Sequence, residues 1–170
     1  MTHRIIGRPE VLSQIRLAYS TGPITQVLDQ DKWTAIGAPL IFDANNSTEG
    51  FNQEDLEESF GLQANSGSTP GITAKDNSNL VYLNATALIE INANVQWGQS
   101  IGFAIFDTTD FTQRPLASGS FSHPRQWPIT ASITLGALPP LKPYDTFYLA
   151  LDCYSGNEWT VTGFTVILQP

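Results

Sequence analysis

Residues 81–97 read VYLNATALIEINANVQW, and every odd position is apolar: Val81, Leu83, Ala85, Ala87, Ile89, Ile91, Ala93, Val95 and Trp97. Of the even positions only Tyr82 and Leu88 are not plainly polar; the others are Asn84, Thr86, Glu90, Asn92, Asn94 and Gln96. A strand turns successive side chains to opposite faces, so this two-residue rhythm marks a sheet with one face buried and one wet. Wound as a helix, the same residues would scatter their apolar groups around the whole circumference. The stretch would extend roughly 56 Å at ~3.3 Å per residue, long for one strand, so a bulge or bend is expected inside it, near Ala85 and Ala87.

Composition supports many strands joined by turns. Only 14% of residues are charged, against roughly 25% in an average soluble chain, and Gly, Pro, Ser, Thr and Asn fill the difference. A length of 170 residues suits one domain with its own core. The net charge of −8 argues against nucleic acid as a partner, because phosphate binding is driven by clustered Lys and Arg. Cys153 is the single cysteine, which allows no internal disulfide. It shares a register with Phe147, Leu149 and Leu151, so a buried free thiol is expected. The lack of disulfides favours synthesis in a reducing cytoplasm. No apolar run has the length of a signal peptide or a membrane span, so neither export by a signal sequence nor a membrane partner is expected.

Along the chain, residues 1–23 differ from the remainder. They carry Arg4, Arg8 and Arg16 against Glu10, net +2, while residues 24–170 are net −10. This N-terminal arm holds Ile5, Ile6, Val11, Leu12, Ile15 and Leu17, too many apolar residues for a purely solvated tail. Pro9 followed by EVLSQIRLAY predicts a short helix. The arm residues expected to hold a partner are Arg4, Ile5, Ile6, Arg8, Val11, Leu12, Ile15 and Arg16. Residues 24–170 form the expected β domain. Its strands are ITQVLD, WTAI, LIF at residues 40–42, the central stretch, IGFAIF, a weaker one at 115–122, the alternating 128–138, then 147–154 and 159–168. Within the Asn- and Ser-rich segment 43–79, NQEDLEESFG predicts a short helix, with Asn52 as its N-cap, acids in the first turn and Gly61 past its end. About eight to ten antiparallel strands without a long helix define an all-β fold, a β-sandwich or jelly roll with an N-terminal arm.

Chemical motifs are weak by comparison. The histidines are His3 and His123. Gly98-Gln99-Ser100-Ile101-Gly102 matches G-x-S-x-G, but IGFAIF after Ser100 reads as a strand where a nucleophile elbow leads into a helix, so no hydrolytic triad with His123 is assembled from the sequence. Two distant histidines and a buried cysteine lack metal-ligand spacing. Asp43, Asn45, Ser47, Glu49 and Glu54 follow the ligand positions of a calcium loop, but Thr48 stands where the sharp turn needs Gly. Glu54, Asp55, Glu57 and Glu58 imitate paired glycosidase carboxylates, and four acids on a solvated helix are the ordinary explanation. Trp97, Trp127, Trp159 and Tyr154 fall near strand ends. Trp97 is in the buried register, which leaves Trp127 and Tyr154 as candidates for surface recognition of a glycan. Three N-x-[ST] sites, beginning at Asn45, Asn46 and Asn84, need a secretory route to be used. Neither a catalytic residue nor a cofactor is expected.

Trp33-Thr34 at a strand start, then a variable loop and SNLVYLNATALIEI, resembles the opening of the tumour-necrosis-factor-like or complement-head-like jelly roll, with Leu80 where that pattern has Gly. LKPYDTFYL at residues 141–149 is similar to the family's later strand entry, with Tyr144 in its Gly position, and GFTVILQP is similar to the closing strand. The resemblance covers residues 24–170. It implies a jelly roll that forms trimers about a threefold axis, of the kind bacteriophages use in capsid cement proteins, head fibres and receptor-binding tips. The expectation is therefore a structural virion protein assembled in the host cytoplasm: a homotrimeric capsid decoration protein. Its arm would hold the major capsid protein or another virion subunit. The alternatives are a glycan-binding tip of a phage fibre or spike and, third, a polysaccharide-acting enzyme.

Overall fold

The computed structural model describes residues 15–28, 31–65, 67–76, 83–91, 100–122, 129–153 and 159–170. Among the described residues eleven strands and one helix follow in the order β1 (Leu17–Leu28), β2 (Thr34–Ala35), β3 (Ile41–Phe42), α1 (Gln53–Phe60), β4 (Leu62–Asn65) and β5 (Gly71–Ala74). After these come β6 (Leu83–Ile91), β7 (Ser100–Phe106), β8 (Ala117–Ser122), β9 (Ile129–Leu138), β10 (Thr146–Cys153) and β11 (Trp159–Gln169). They make two antiparallel sheets: β3-β1-β11-β6-β9 and β4-β5-β10-β7-β8, with β2 on β10.

The pairing is nested. First pairs with last (β1 with β11), β5 with β10, β6 with β9, and β7 with β8. A long hairpin folded over on itself in this way is a jelly roll, which closes one core between two sheets. The expected fold class is therefore observed.

β6 alternates as its sequence requires: Leu83, Ala85, Ala87, Ile89 and Ile91 are buried while Asn84, Thr86, Leu88 and Glu90 are not. The inward set packs with Tyr19, Phe103 and Phe164, and the Phe103 and Phe164 rings lie 5.9 Å apart across the sandwich. Val81, Tyr82 and residues 92–97, the ends of the alternating stretch, lie outside the described residues. The irregularity expected near Ala85 is on the partner strand instead. Leu83 faces Leu138 but Ala85 faces Leu135, so β9 carries one extra residue there. Ala137 takes φ 48, and its N–H donates to Asn84 Oδ1 at 2.8 Å.

Two parts of the chain depart from the sequence reading. The sandwich does not begin at residue 24: β1 starts at Leu17 and runs antiparallel to β11. Leu17 and Tyr19 are fully buried, so residues 17–23 belong to the sheet, and the helix predicted through Leu17–Tyr19 is strand. The extra burial of Ala18 has a local cause, since the 43–48 loop lies along this edge of β1. Ala18 N–H donates to Ser47 Oγ at 3.0 Å, Arg16 N–H to Thr48 Oγ1 at 2.7 Å, and Asp43 N–H to Ala18 C=O at 2.9 Å. The second departure is the β4–β5 hairpin, where only loop was expected after the helix.

The helix itself is as its caps dictate. Asn52 Oδ1 accepts the Asp55 N–H at 2.8 Å, Glu54 and Asp55 sit in the positive first turn, and Gly61 closes the helix in the left-handed region at φ 68. Leu56 and Phe60 are its buried face. Among the described residues, no helix is long and apolar enough to cross a membrane.

Candidate functional site

The two sheets treat their outer faces differently. On the six-stranded sheet, Ala104, Phe106 and Ala150 point away from the main core and are nevertheless fully buried, under Trp33, Phe111 and Tyr148. Phe106 meets Trp33 edge-on at 6.0 Å and Phe111 edge-on at 4.9 Å. This face is sealed by the chain's own 107–116 turn and the segment leading into β2. Asp152, on the same side of β10, accepts the Lys32 N–H at 2.8 Å. Burial pushes its carboxyl above the usual carboxylate range.

The five-stranded sheet has no aromatic cover of this kind among the described residues; the 43–48 loop lies over it at its β1 edge, at Ala18. Register places its outward side chains in rows that cross four strands. One row is Ser20, Thr165, Leu88 and Ser132; the next is Ala18, Ile167, Thr86 and Thr134; a third is Pro23, Gly163, Glu90 and Thr130. Ile41 of β3, 65% exposed, extends the Ser20 row. Hydroxyls dominate, and Thr86 and Thr134 bond to one another across β6 and β9 at 2.9 Å.

Glu90 is the single charged side chain in these rows, and it lies flat across Gly163. A Cβ at that glycine would stand 2.6 Å from Glu90 Oε2, so only Gly lets the carboxylate occupy that place. Beside it is a shallow hollow of about 240 Å³, lined by Ser20, Pro23, Leu88, Glu90, Thr130 and Thr165 among others.

Of the residues singled out from sequence, Arg4, Ile5, Ile6, Arg8, Val11, Leu12, Trp127, Tyr154 and His123 lie outside the described residues. Ile15 requires a correction: at 2% exposure it is spent in the chain's own core and offers a partner nothing. Arg16 has an exposed side chain, while its main chain is tied to Thr48 through a 2.7 Å and a 3.1 Å bond.

The calcium-like loop is built for another purpose. Asp43 Oδ1 accepts the N–H groups of Asn45 and Asn46, its Oδ2 accepts Asn46 Nδ2–H at 2.8 Å, and Ser47 bridges to β1. Its oxygens cap a sheet edge. Of the carboxylates of α1, Glu57 Oε1 accepts from Tyr19 Oη at 2.7 Å and from Gln53 Nε2–H at 3.0 Å. Burial, with Glu57 beside it, drives the Tyr19 hydroxyl far above its ordinary value. Among the described residues no three His, Cys, Asp or Glu side chains are placed to share a metal ion.

The uncovered face was not identified from sequence, and one signal for it was present. Leu88 is the apolar residue in the otherwise polar register of β6.

No family model matches the chain, and no curated protein matches it. Solved structures do match, and one of them is Eiger TNF from S. frugiperda. This chain is similar to it with a TM-score of 0.47 and 11% identity, over 92% of this chain and 94% of that one. The jelly-roll assignment itself rests on the nested strand pairing.

Proposed function

We propose that the chain is a structural, self-associating head: a homotrimeric decoration or cement protein of a virion shell. The observation that carries this reading is the outer face of the five-stranded sheet, where four strands present hydroxyls, Leu88, Ile167 and a single carboxylate. Interface cores are depleted in charge and combine apolar anchors with satisfied polar groups. That face has this chemistry in a chain whose net charge is −8. Closing three copies about an axis would also cover sheet edges that could otherwise pair with stray strands.

In this reading function is mechanical. Association buries the charge-poor face, and the basic, apolar segment before Ile15 attaches the head to a neighbouring shell subunit. No bond is made or broken, and no cofactor is required. Sedimentation of a lysate in which the chain is made with its native neighbours tests the proposal. The chain is expected to travel with large particles and to be released by high salt, because the arm's attachment is partly ionic. A chain found wholly at the top of the gradient contradicts it.

The hollow beside Glu90 supports a second reading, a glycan-binding tip. A carboxylate, three hydroxyls and Leu88 converge there, and such groups can hold a sugar's hydroxyls over an apolar patch. Reproducible binding of the free protein to a glycan array would favour that reading over cement.

A further inference from the structure

Tyr144, at 74%, is the most exposed of the large apolar side chains among the described residues. It also holds a backbone angle that a residue of its size rarely takes, φ 71 in the left-handed region. The cause is the turn between β9 and β10. Asp145 N–H donates to Lys142 C=O at 3.0 Å, which closes a turn with Pro143 second and Tyr144 third. Proline fixes the second residue, and a left-handed third residue makes the turn type II, whose third position ordinarily takes Gly. Tyr144 stands at the position where the resembled strand entry has Gly.

The turn cannot relax by changing that angle. Tyr144 N–H donates to Ala74 C=O at 2.9 Å, Ala74 N–H to Asp145 C=O at 2.8 Å, and Lys142 N–H to Asp145 Oδ2 at 3.3 Å. β5 thus holds a strained residue whose ring stays in solvent. Strain kept in place by its surroundings, without burial of the side chain, is a property of recognition sites.

A groove of about 300 Å³ lies beside the turn. It is lined from both sides of the turn by Pro139, Pro140, Asp145 and Thr146, and from the β7–β8 connection by Asp107 and Leu116. Tyr144, next to Asp145 in the chain, therefore stands at its rim. Leu141 and Phe147 also border the groove but are buried. Pro139, Pro140, Asp107 and Asp145 are exposed, and Leu116 is 37% exposed. Two carboxylates in so small a site do not suit a protein interface, whose centre is depleted in charge and needs a far larger area. They suit a polyhydroxyl ligand. Carboxylates accept hydroxyl hydrogens, while a Tyr ring and proline faces cover the C–H face of a sugar. The same two charges repel an acidic sugar.

We propose that Tyr144 and this groove form a binding site for a neutral saccharide, with the sugar ring against Tyr144 and its hydroxyls donating to Asp107 and Asp145. The inference rests on the glycan-binding reading and gives it a place that shares no lining residue with the hollow beside Glu90.

A glycan array of neutral and acidic saccharides, probed with the full chain, tests it, followed by calorimetric titration of the neutral saccharide bound best. Neutral saccharides should be bound and acidic ones not. Tyr144→Gly keeps the fold, because Gly accepts the turn's angle, and should weaken binding by about tenfold or more, as loss of a Tyr anchor does. Tyr144→Phe should retain binding, and Asp107→Ala, at an exposed position, should weaken it. An array on which no neutral saccharide is bound overturns both this site and the glycan-binding reading. Binding that survives Tyr144→Gly overturns this site alone, and its loss in Glu90→Ala would then assign the ligand to the hollow. A preference for acidic saccharides overturns the site as well.

Discussion

Replacing Ile89 by alanine removes most of a side chain that has no solvent exposure. It sits mid-strand, opposite Phe164 on one side and Ala131 on the other. The neighbours are held by two sheets and cannot collapse freely into the space. The cost should therefore fall in the range of about 2–5 kcal/mol found for buried aliphatic truncations. Thr86→Ala, on the same strand but the other face, loses one hydroxyl bond to Thr134 at a half-exposed position. That loss is worth about 1 kcal/mol or less.

With a urea slope of about 2 kcal/mol/M for a domain of this size, Ile89→Ala should lower the unfolding midpoint by about 1–2.5 M. Thr86→Ala should lower it by no more than about 0.5 M. Both curves must be recorded at one protein concentration, because association stabilises the folded state by mass action. Equal shifts for the two variants would refute the inside–outside alternation on which the fold rests.

Individual sites carry their own expected outcomes. Asp152 has a carboxyl raised by burial, so its folded-state value lies above its unfolded one; the stability it contributes is full below the ordinary carboxylate range and is lost as pH rises through the raised value. Asp152→Asn should therefore gain Tm relative to the unaltered chain as pH is raised from about 4 to neutrality, and a variant that loses Tm over that interval would contradict the sign. Gly163→Ala should cost about 1 kcal/mol by pressing on the Glu90 carboxylate, and adding Glu90→Ala should recover it, as read by a thermal double-mutant cycle. Asn52→Ala should cost about 1 kcal/mol through loss of the cap on α1, measured by urea unfolding.

The sequence made the sandwich legible where local pattern and tertiary role coincide. β6 could be read because its inward and outward residues strictly alternate, and α1 because Asn52 and Gly61 mark both ends. β4 and β5 were missed because four-residue strands carry almost no period, and Gly71 and Asn65 there are turn residues by composition. The start of the sheet was displaced because Leu17, Ala18 and Tyr19 are buried in succession. Consecutive apolar residues read as helix, and it is a distant loop, residues 43–48, that covers Ala18. The candidate face was illegible for a stronger reason. Ser20, Leu88, Ser132 and Thr165 become neighbours only through strand order, which no local window contains. Only Leu88, apolar among polar neighbours, hinted at a covered surface.

Copies of this chain are proposed to meet through the outer face of the five-stranded sheet, and light scattering on the purified protein tests that most directly. A mass three times the 18.6 kDa of the chain is predicted for the unaltered protein. Leu88→Arg, which adds a charge at an outward position without entering the core, should give a folded species of 18.6 kDa. An unaltered protein that remains a monomer at high concentration, or a Leu88→Arg variant that remains a trimer, would contradict the claim.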